Sequence, residues 1–162
     1  MANLGISASS VIGVNLSRMD SSALFPLGMI VNLTDGGQAM YVKASASALS
    51  TFAACSINKA GVATMLTTSN APNSPAVGFA QISIATSDFG WVRLGGTCLV
   101  NLASQCAPNV PLFATSTAGV LDDATSTLGY IPGLVCVTTI SNATASTCKG
   151  QYPHVARYGG GA

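Results

Sequence analysis

No glutamate occurs anywhere in the 162 residues, and only 7% of the chain is charged, against roughly 25% in a typical soluble domain. The eleven charges (Arg18, Asp20, Asp35, Lys43, Lys59, Asp88, Arg93, Asp122, Asp123, Lys149 and Arg157) are scattered and sum to +1. No cluster is basic enough to follow a phosphate backbone or to hold an anionic membrane surface, so neither nucleic acid nor membrane is an expected partner. Titratable groups for catalysis are equally scarce. There is one histidine, His154, in a tail-like segment, and the only adjacent carboxylates are Asp122 and Asp123. On a strand these would point to opposite faces and stay in water, or hold a cation only weakly. No G-x-S-x-G elbow, phosphate-binding glycine loop or C-x-x-C pair is present, so no catalytic, cofactor-binding or metal-ligating residue is expected and an enzyme is disfavoured. The start Met1-Ala2-Asn3-Leu4-Gly5 lacks the basic and apolar regions of a secretory leader. The uncharged stretch between Arg93 and Asp122 is interrupted by Gly95, Gly96, Pro108 and Pro111, which excludes a spanning helix there.

Small neutral residues take the place of charge: 24 Ala, 19 Ser and 15 Thr. Such a surface is poor at keeping a free monomer apart from its neighbours, and we read the chain as a component of an assembly. The five cysteines, Cys55, Cys98, Cys106, Cys136 and Cys148, are an odd number, so at least one is unpaired within the chain. Their default role is that of small buried apolar residues, kept reduced by assembly in a cytosol.

Three segments are expected: an arm over 1–26, a β-rich domain over 27–151 and a second arm over 152–162. The first arm has no sustained period, with at most a short strand near 11–16. Hairpins then follow one another. Met29–Leu33 and Gln38–Ala44 flank Thr34-Asp35-Gly36-Gly37, a strong two-strand turn signal. Thr51–Ile57 and Val62–Thr67 flank a turn ending in Gly61, although Ala and Leu also allow a helix over 44–55. Further strands are read at 77–85, 91–94, 97–102, 112–115, 120–122, 134–140 and 145–152, with Gly95-Gly96 as a bulge or sharp bend. Trp91 is read as core. Ala60-Gly61-Val62 recurs as Ala118-Gly119-Val120, and Ala71-Pro72-Asn73 as Ala107-Pro108-Asn109. The spacings differ, 58 against 36 residues, and we read the recurrence as shared turn chemistry rather than a repeat. Nine or ten short strands without βαβ alternation predict an all-β fold, a sandwich or barrel of short antiparallel strands with extended N- and C-terminal arms. The arms are the expected interface. Tyr152, Arg157 and Tyr158 are residue types that anchor contacts, and Leu4 and Ile6 are their apolar counterparts at the other end.

Between residues 76 and 140 an ordered set of features appears: Val77-Gly78-Phe79-Ala80-Gln81, then Gly90-Trp91-Val92, Gly95-Gly96, Leu112-Phe113, Ala118-Gly119-Val120-Leu121 and Gly133. It resembles the head-decoration (cement) proteins of tailed bacteriophages and related virion proteins. That resemblance covers about 40% of the chain. It implies a small β-rich subunit, often a homotrimer, made in the host cytoplasm. On the virion it would bind the major capsid protein at the capsid surface and staple capsomers together, with no catalytic residue and no cofactor. The alternatives are a tail-fibre or receptor-binding module and an extracellular β-sandwich adhesin held by disulfides.

Overall fold

The computed structural model describes residues 14–124 and 129–150. Among these residues the fold is all-β: β1 (Met19–Asp20), β2 (Ile30–Asn32), β3 (Gln38–Ala44), β4 (Ala54–Ile57), β5 (Val62–Met65), β6 (Ala76–Ala80), β7 (Phe89–Arg93), β8 (Gly96–Leu102), β9 (Pro111–Ala114), β10 (Leu121–Asp122), β11 (Tyr130–Cys136) and β12 (Thr144–Gly150). The only helical element among them is one 3₁₀ turn, Ala71–Asn73. The helix allowed over 44–55 is therefore absent. Residues 45–53 are turns and bends, with Leu49 bridged to Ile84, before β4 begins.

Two closed rings of five strands account for the architecture. In the first, β3 pairs with β5, β5 with β4, β4 with β6, β6 with β7, and β7 returns to β3. In the second, β8 pairs with β10, β10 with β9, β9 with β11, β11 with β12, and β12 returns to β8. Each ring has one parallel contact, in the same place: Ala44 opposite Ala63 in the first and Leu102 opposite Leu121 in the second. Both members of that pair move by 58 residues, the spacing of the two Ala-Gly-Val strings. Those strings precede or open the equivalent strands β5 and β10, with Gly61 at φ +73° and Gly119 at φ +76°. The reading of shared turn chemistry alone is thus corrected: the described residues hold two copies of one barrel topology. The second pair of strings has no such equivalence, since Ala71-Pro72-Asn73 is the 3₁₀ turn before β6 whereas Ala107-Pro108-Asn109 precedes β9.

A five-stranded barrel leaves little interior, which explains the wealth of small residues. The first barrel is filled by Val42, Ala44, Leu49, Cys55, Ile57, Ala63, Ala80, Ile84 and Val92. A Cβ on Gly78 would lie 2.8 Å from Val92 Cγ2 and 2.9 Å from Ile57 Cδ1, and one on Gly90 2.8 Å from Ile84 Cδ1. The core of the second barrel includes Cys98, Val100, Leu102, Leu112, Leu121, Ile131, Leu134, Cys136 and Cys148, and it runs on into Ala54, Leu66, Val77 and Phe79 of the first. Backbone bonds cross the same boundary: Ala54 N donates to Gly119 O at 3.0 Å, and Gly119 N to Leu66 O at 2.8 Å.

Outside the first ring, β1 and β2 flank the β7–β3 seam. Of the strand expected near 11–16, residues 11–13 lie outside the described part, and Val14 and Leu16 are buried but not in a strand; a short strand forms at Met19–Asp20, paired with β7. Val14, Leu16, Phe25 and Leu33 cover Ala39, Tyr41 and Trp91 on the outer face of the seam. Phe25 meets Tyr41 and Trp91 edge-on at 5.3 Å each, and Tyr41 meets Trp91 at 5.1 Å. Both faces of β3 are therefore dry at Tyr41 and Val42, which are fully buried. Tyr41 keeps its hydroxyl satisfied by donating to Asp20 Oδ2 at 2.9 Å and accepting from Leu24 N at 3.2 Å. Burial, then the neighbouring Asp20, raises its phenol pKa above the ordinary value. Asp20 Oδ1 receives no aligned hydrogen bond, and the Arg18 Nε 2.9 Å away meets it only as an ion pair.

Candidate functional site

The expected interface residues Leu4, Ile6, Tyr152, Arg157 and Tyr158 all lie outside the described residues, as does the whole of the segment 152–162. An exposed apolar surface among the described residues lies elsewhere, on the segment that enters and forms β2. Met19, Leu24, Leu27, Met29 and Ile30 are each more than a third exposed, Leu24 at 53% and Ile30 at 49%. Between Asp20 and Asp35 this segment carries no charge. Its local shape follows from turn chemistry. Pro26 and Gly28 (φ +80°) hold a turn closed by Met29 N donating to Pro26 O at 3.1 Å, while Gly28 N donates to Tyr41 O at 2.9 Å. The apolar side chains are thereby held outward, because the face beneath them is already filled by Phe25, Tyr41 and Trp91.

The backbone adds direction. Tyr41 N bonds Met29 O at 2.9 Å and Leu33 N bonds Gly37 O at 2.8 Å. Residues 29 and 33 thus face β3, and by strand alternation Ile30 and Asn32 turn their N–H and C=O away from it. Among the described residues β2 is the last strand of its sheet, so among them those groups form an open, uncharged strand edge of the kind that accepts a further strand. Sequence reasoning placed its candidate interface at the ends and did not single out this segment. The signal available was the run Leu24-Phe25-Pro26-Leu27-Gly28-Met29-Ile30, too apolar and too interrupted to be one buried strand.

One ion pair fixes that edge to the rest of the molecule. Arg93, nearly buried at the end of β7, donates through Nη2 to Asp35 Oδ2 at 2.6 Å and through Nη1 to the Thr97 carbonyl. Gly37 N donates to Asp35 Oδ1 at 3.0 Å. The β2–β3 turn is so clamped to the crossover between barrels, where a Cβ on Gly37 would lie 2.6 Å from Gly95 O. Burial alone would raise the Asp35 pKa, but the Arg93 hydrogen bond, the Gly37 N–H and the Arg93 charge outweigh it and hold the carboxyl below its usual 3.8.

The carboxylates of Asp122 and Asp123 do not diverge as strand alternation predicts. β10 ends at Asp122, and both groups lie, half-buried, with the Cys106 thiol in a cluster whose ligating atoms are within 4.8 Å of one another. Cys106 Sγ donates to Asp122 Oδ1 at 3.4 Å, Ala107 N to Asp123 Oδ2 at 2.8 Å, and Asp123 N to Asp122 Oδ1 at 2.9 Å. Burial, then the carboxylates, pushes the thiol up to about 12, where it is a poor metal ligand and nucleophile. The cluster acts as a clamp holding the 103–110 loop on β10. All five cysteines are free and buried, as expected, and burial likewise pushes Cys55 and Cys98 up to about 12. Trp91 is core, 2% exposed. Among the described residues no helix is long and apolar enough to cross a membrane.

No protein-family model matches the chain, and no curated protein does. Among solved structures it is similar to the head fiber gp8.5 N base of bacteriophage phi29, with a TM-score of 0.53 over 80% of this chain and 100% of that one, at 10% identity. At that identity the likeness establishes a shared fold.

Proposed function

We propose that this chain is a structural protein of a phage virion, attached to the outside of the head, self-associated and without catalytic function. The observation that carries the reading is the open edge at Ile30–Asn32 with its exposed apolar neighbours Leu24, Leu27 and Met29, uncharged from 21 to 34. Such a surface is a liability on a free monomer and an asset in an assembly. The fold shared with a phage head fiber base supports the same reading, as does the sequence resemblance to decoration proteins. As a cement subunit, the chain would form a homotrimer and bind the major capsid protein of the assembled shell, stabilising it by mass action. Shells made with and without the protein test this: those that contain it should withstand heating and osmotic shock that open the others. Equal resistance would sink the stapling role. The fold likeness also favours a second reading, in which the chain is the base of an appendage. Labelled protein would then occupy a few sites per head rather than covering it, as counted by electron microscopy.

A further inference from the structure

Four of the five cysteines, Cys98, Cys106, Cys136 and Cys148, belong to the core of the second barrel, and three of them form a row across adjacent strands. Cys98 on β8 is directly opposite Cys148 on β12, and Cys148 is directly opposite Cys136 on β11. The two contacts differ in kind. Val137 N donates to Thr147 O at 3.0 Å, so Val137 and Thr147 are a hydrogen-bonded pair and Cys136 with Cys148, one step along, is a non-hydrogen-bonded pair. In that position the Cα atoms of antiparallel strands approach to about 4.5 Å and the side chains come closest, within the roughly 4.4–6.8 Å span of disulfides. Cys148 then turns its backbone toward β8, which makes its pairing with Cys98 the wider, hydrogen-bonded kind. Both side chains are wholly buried.

We propose that Cys136 and Cys148 are a disulfide-forming site, free in a reducing cytosol and joined across β11 and β12 when the protein meets an oxidising thiol–disulfide pool. With oxidised glutathione as oxidant, the thiolate of one cysteine attacks the glutathione S–S bond and releases one glutathione thiolate. The second cysteine, deprotonated, attacks the mixed disulfide and releases the other. Two thiols lose two protons and two electrons, one protein S–S bond forms, and one glutathione disulfide becomes two glutathione thiols. The bond would tie the last described strand into the second barrel after folding is complete. Its occurrence outside the host cell rests on the virion reading above; the pairing itself does not.

Full-length protein purified in reductant is incubated for days with oxidised glutathione, denatured, alkylated and mapped by peptide mass spectrometry. The expected result is a peptide linked through Cys136 and Cys148, three alkylated cysteines, and a melting temperature raised by several degrees. The linked peptide should persist in Cys98→Ser and vanish in Cys136→Ser, and the wild-type map stands even where a variant fails to fold. Five alkylated cysteines after oxidation, or a link between Cys98 and Cys148, would overturn the assignment. Neither outcome bears on the solution mass of the protein, which tests the assembly reading separately.

Discussion

Replacing Gly119 with alanine probes the joint between the barrels. Gly119 sits at φ +76°, and a Cβ there would lie 2.6 Å from Ala53 Cβ and 3.3 Å from Ala53 Cα. Ala53 is 1% exposed, and the backbone on both sides of the contact is hydrogen-bonded across the barrels, so neither partner has room to move. The left-handed backbone costs an alanine roughly 1–2 kcal/mol, and forcing a methyl into packed surroundings costs about 1–3 kcal/mol more. A chain of this length loses roughly 2–4 °C of melting temperature per kcal/mol, so Gly119→Ala should melt about 4–20 °C lower. Gly36→Ala is the internal control, because Gly36 has φ +79° with nothing within 4 Å of the added Cβ; it carries the backbone penalty alone and should lose roughly 2–8 °C. Circular dichroism melts of the two variants under one set of conditions make the comparison. If Gly36→Ala melts as low as Gly119→Ala, the joint is not tightly packed and the account of a continuous core between barrels fails.

The ion pair at the hairpin makes a pH prediction. The Asp35 pKa is depressed in the fold, so its stabilisation is present above the unfolded value of 3.8 and is lost as pH falls below it; urea midpoints of wild type and Asp35→Asn should converge below about pH 3 and differ at pH 7. Arg93→Met removes a donor from a carboxylate and from the Thr97 carbonyl and should lower stability by about 1.5–3 kcal/mol by the same assay. Tyr41→Phe leaves buried Asp20 without its hydroxyl donor and should lower stability by roughly 1–3 kcal/mol, whereas no loss would mean that the segment 14–33 is not held through that bond. At pH 8 a thiol reagent should label none of the five buried cysteines within minutes and all five in denaturant; prompt labelling of Cys55 or Cys98 would contradict their burial and raised pKa values.

Much of the local structure was legible because turn chemistry is local. Asp35-Gly36-Gly37 and Asn58–Gly61 mark the hairpins β2–β3 and β4–β5 where the structure has them. Closure was not legible, since it rests on the distant pairs β7–β3 and β12–β8, which leave no mark in a window of ten residues. The strand expected over 134–140 begins instead at Tyr130 and ends at Cys136. Its β-branched density lies past the barrel, while Pro132 and Gly133 are tolerated where the β9 register shifts between Ile131 and Val135. The duplication was half visible in the 58-residue spacing, but the two barrels share almost no other residues at matching positions, because one packs its outer seam with Tyr41 and Trp91 and the other places Leu99 and Thr147 there. The exposed apolar surface was hidden for a related reason. Apolar residues of the 24–30 segment look like core until the structure shows that the core beneath them is full.

The mass of the full-length protein in solution, by light scattering with and without reductant, tests the assembly claim most directly. The account predicts an oligomer, a trimer on the decoration reading, whose mass is unchanged by reductant and falls when Ile30 is replaced by lysine at the open edge. A monomer at all concentrations, or an oligomer that reductant dissolves, would contradict it.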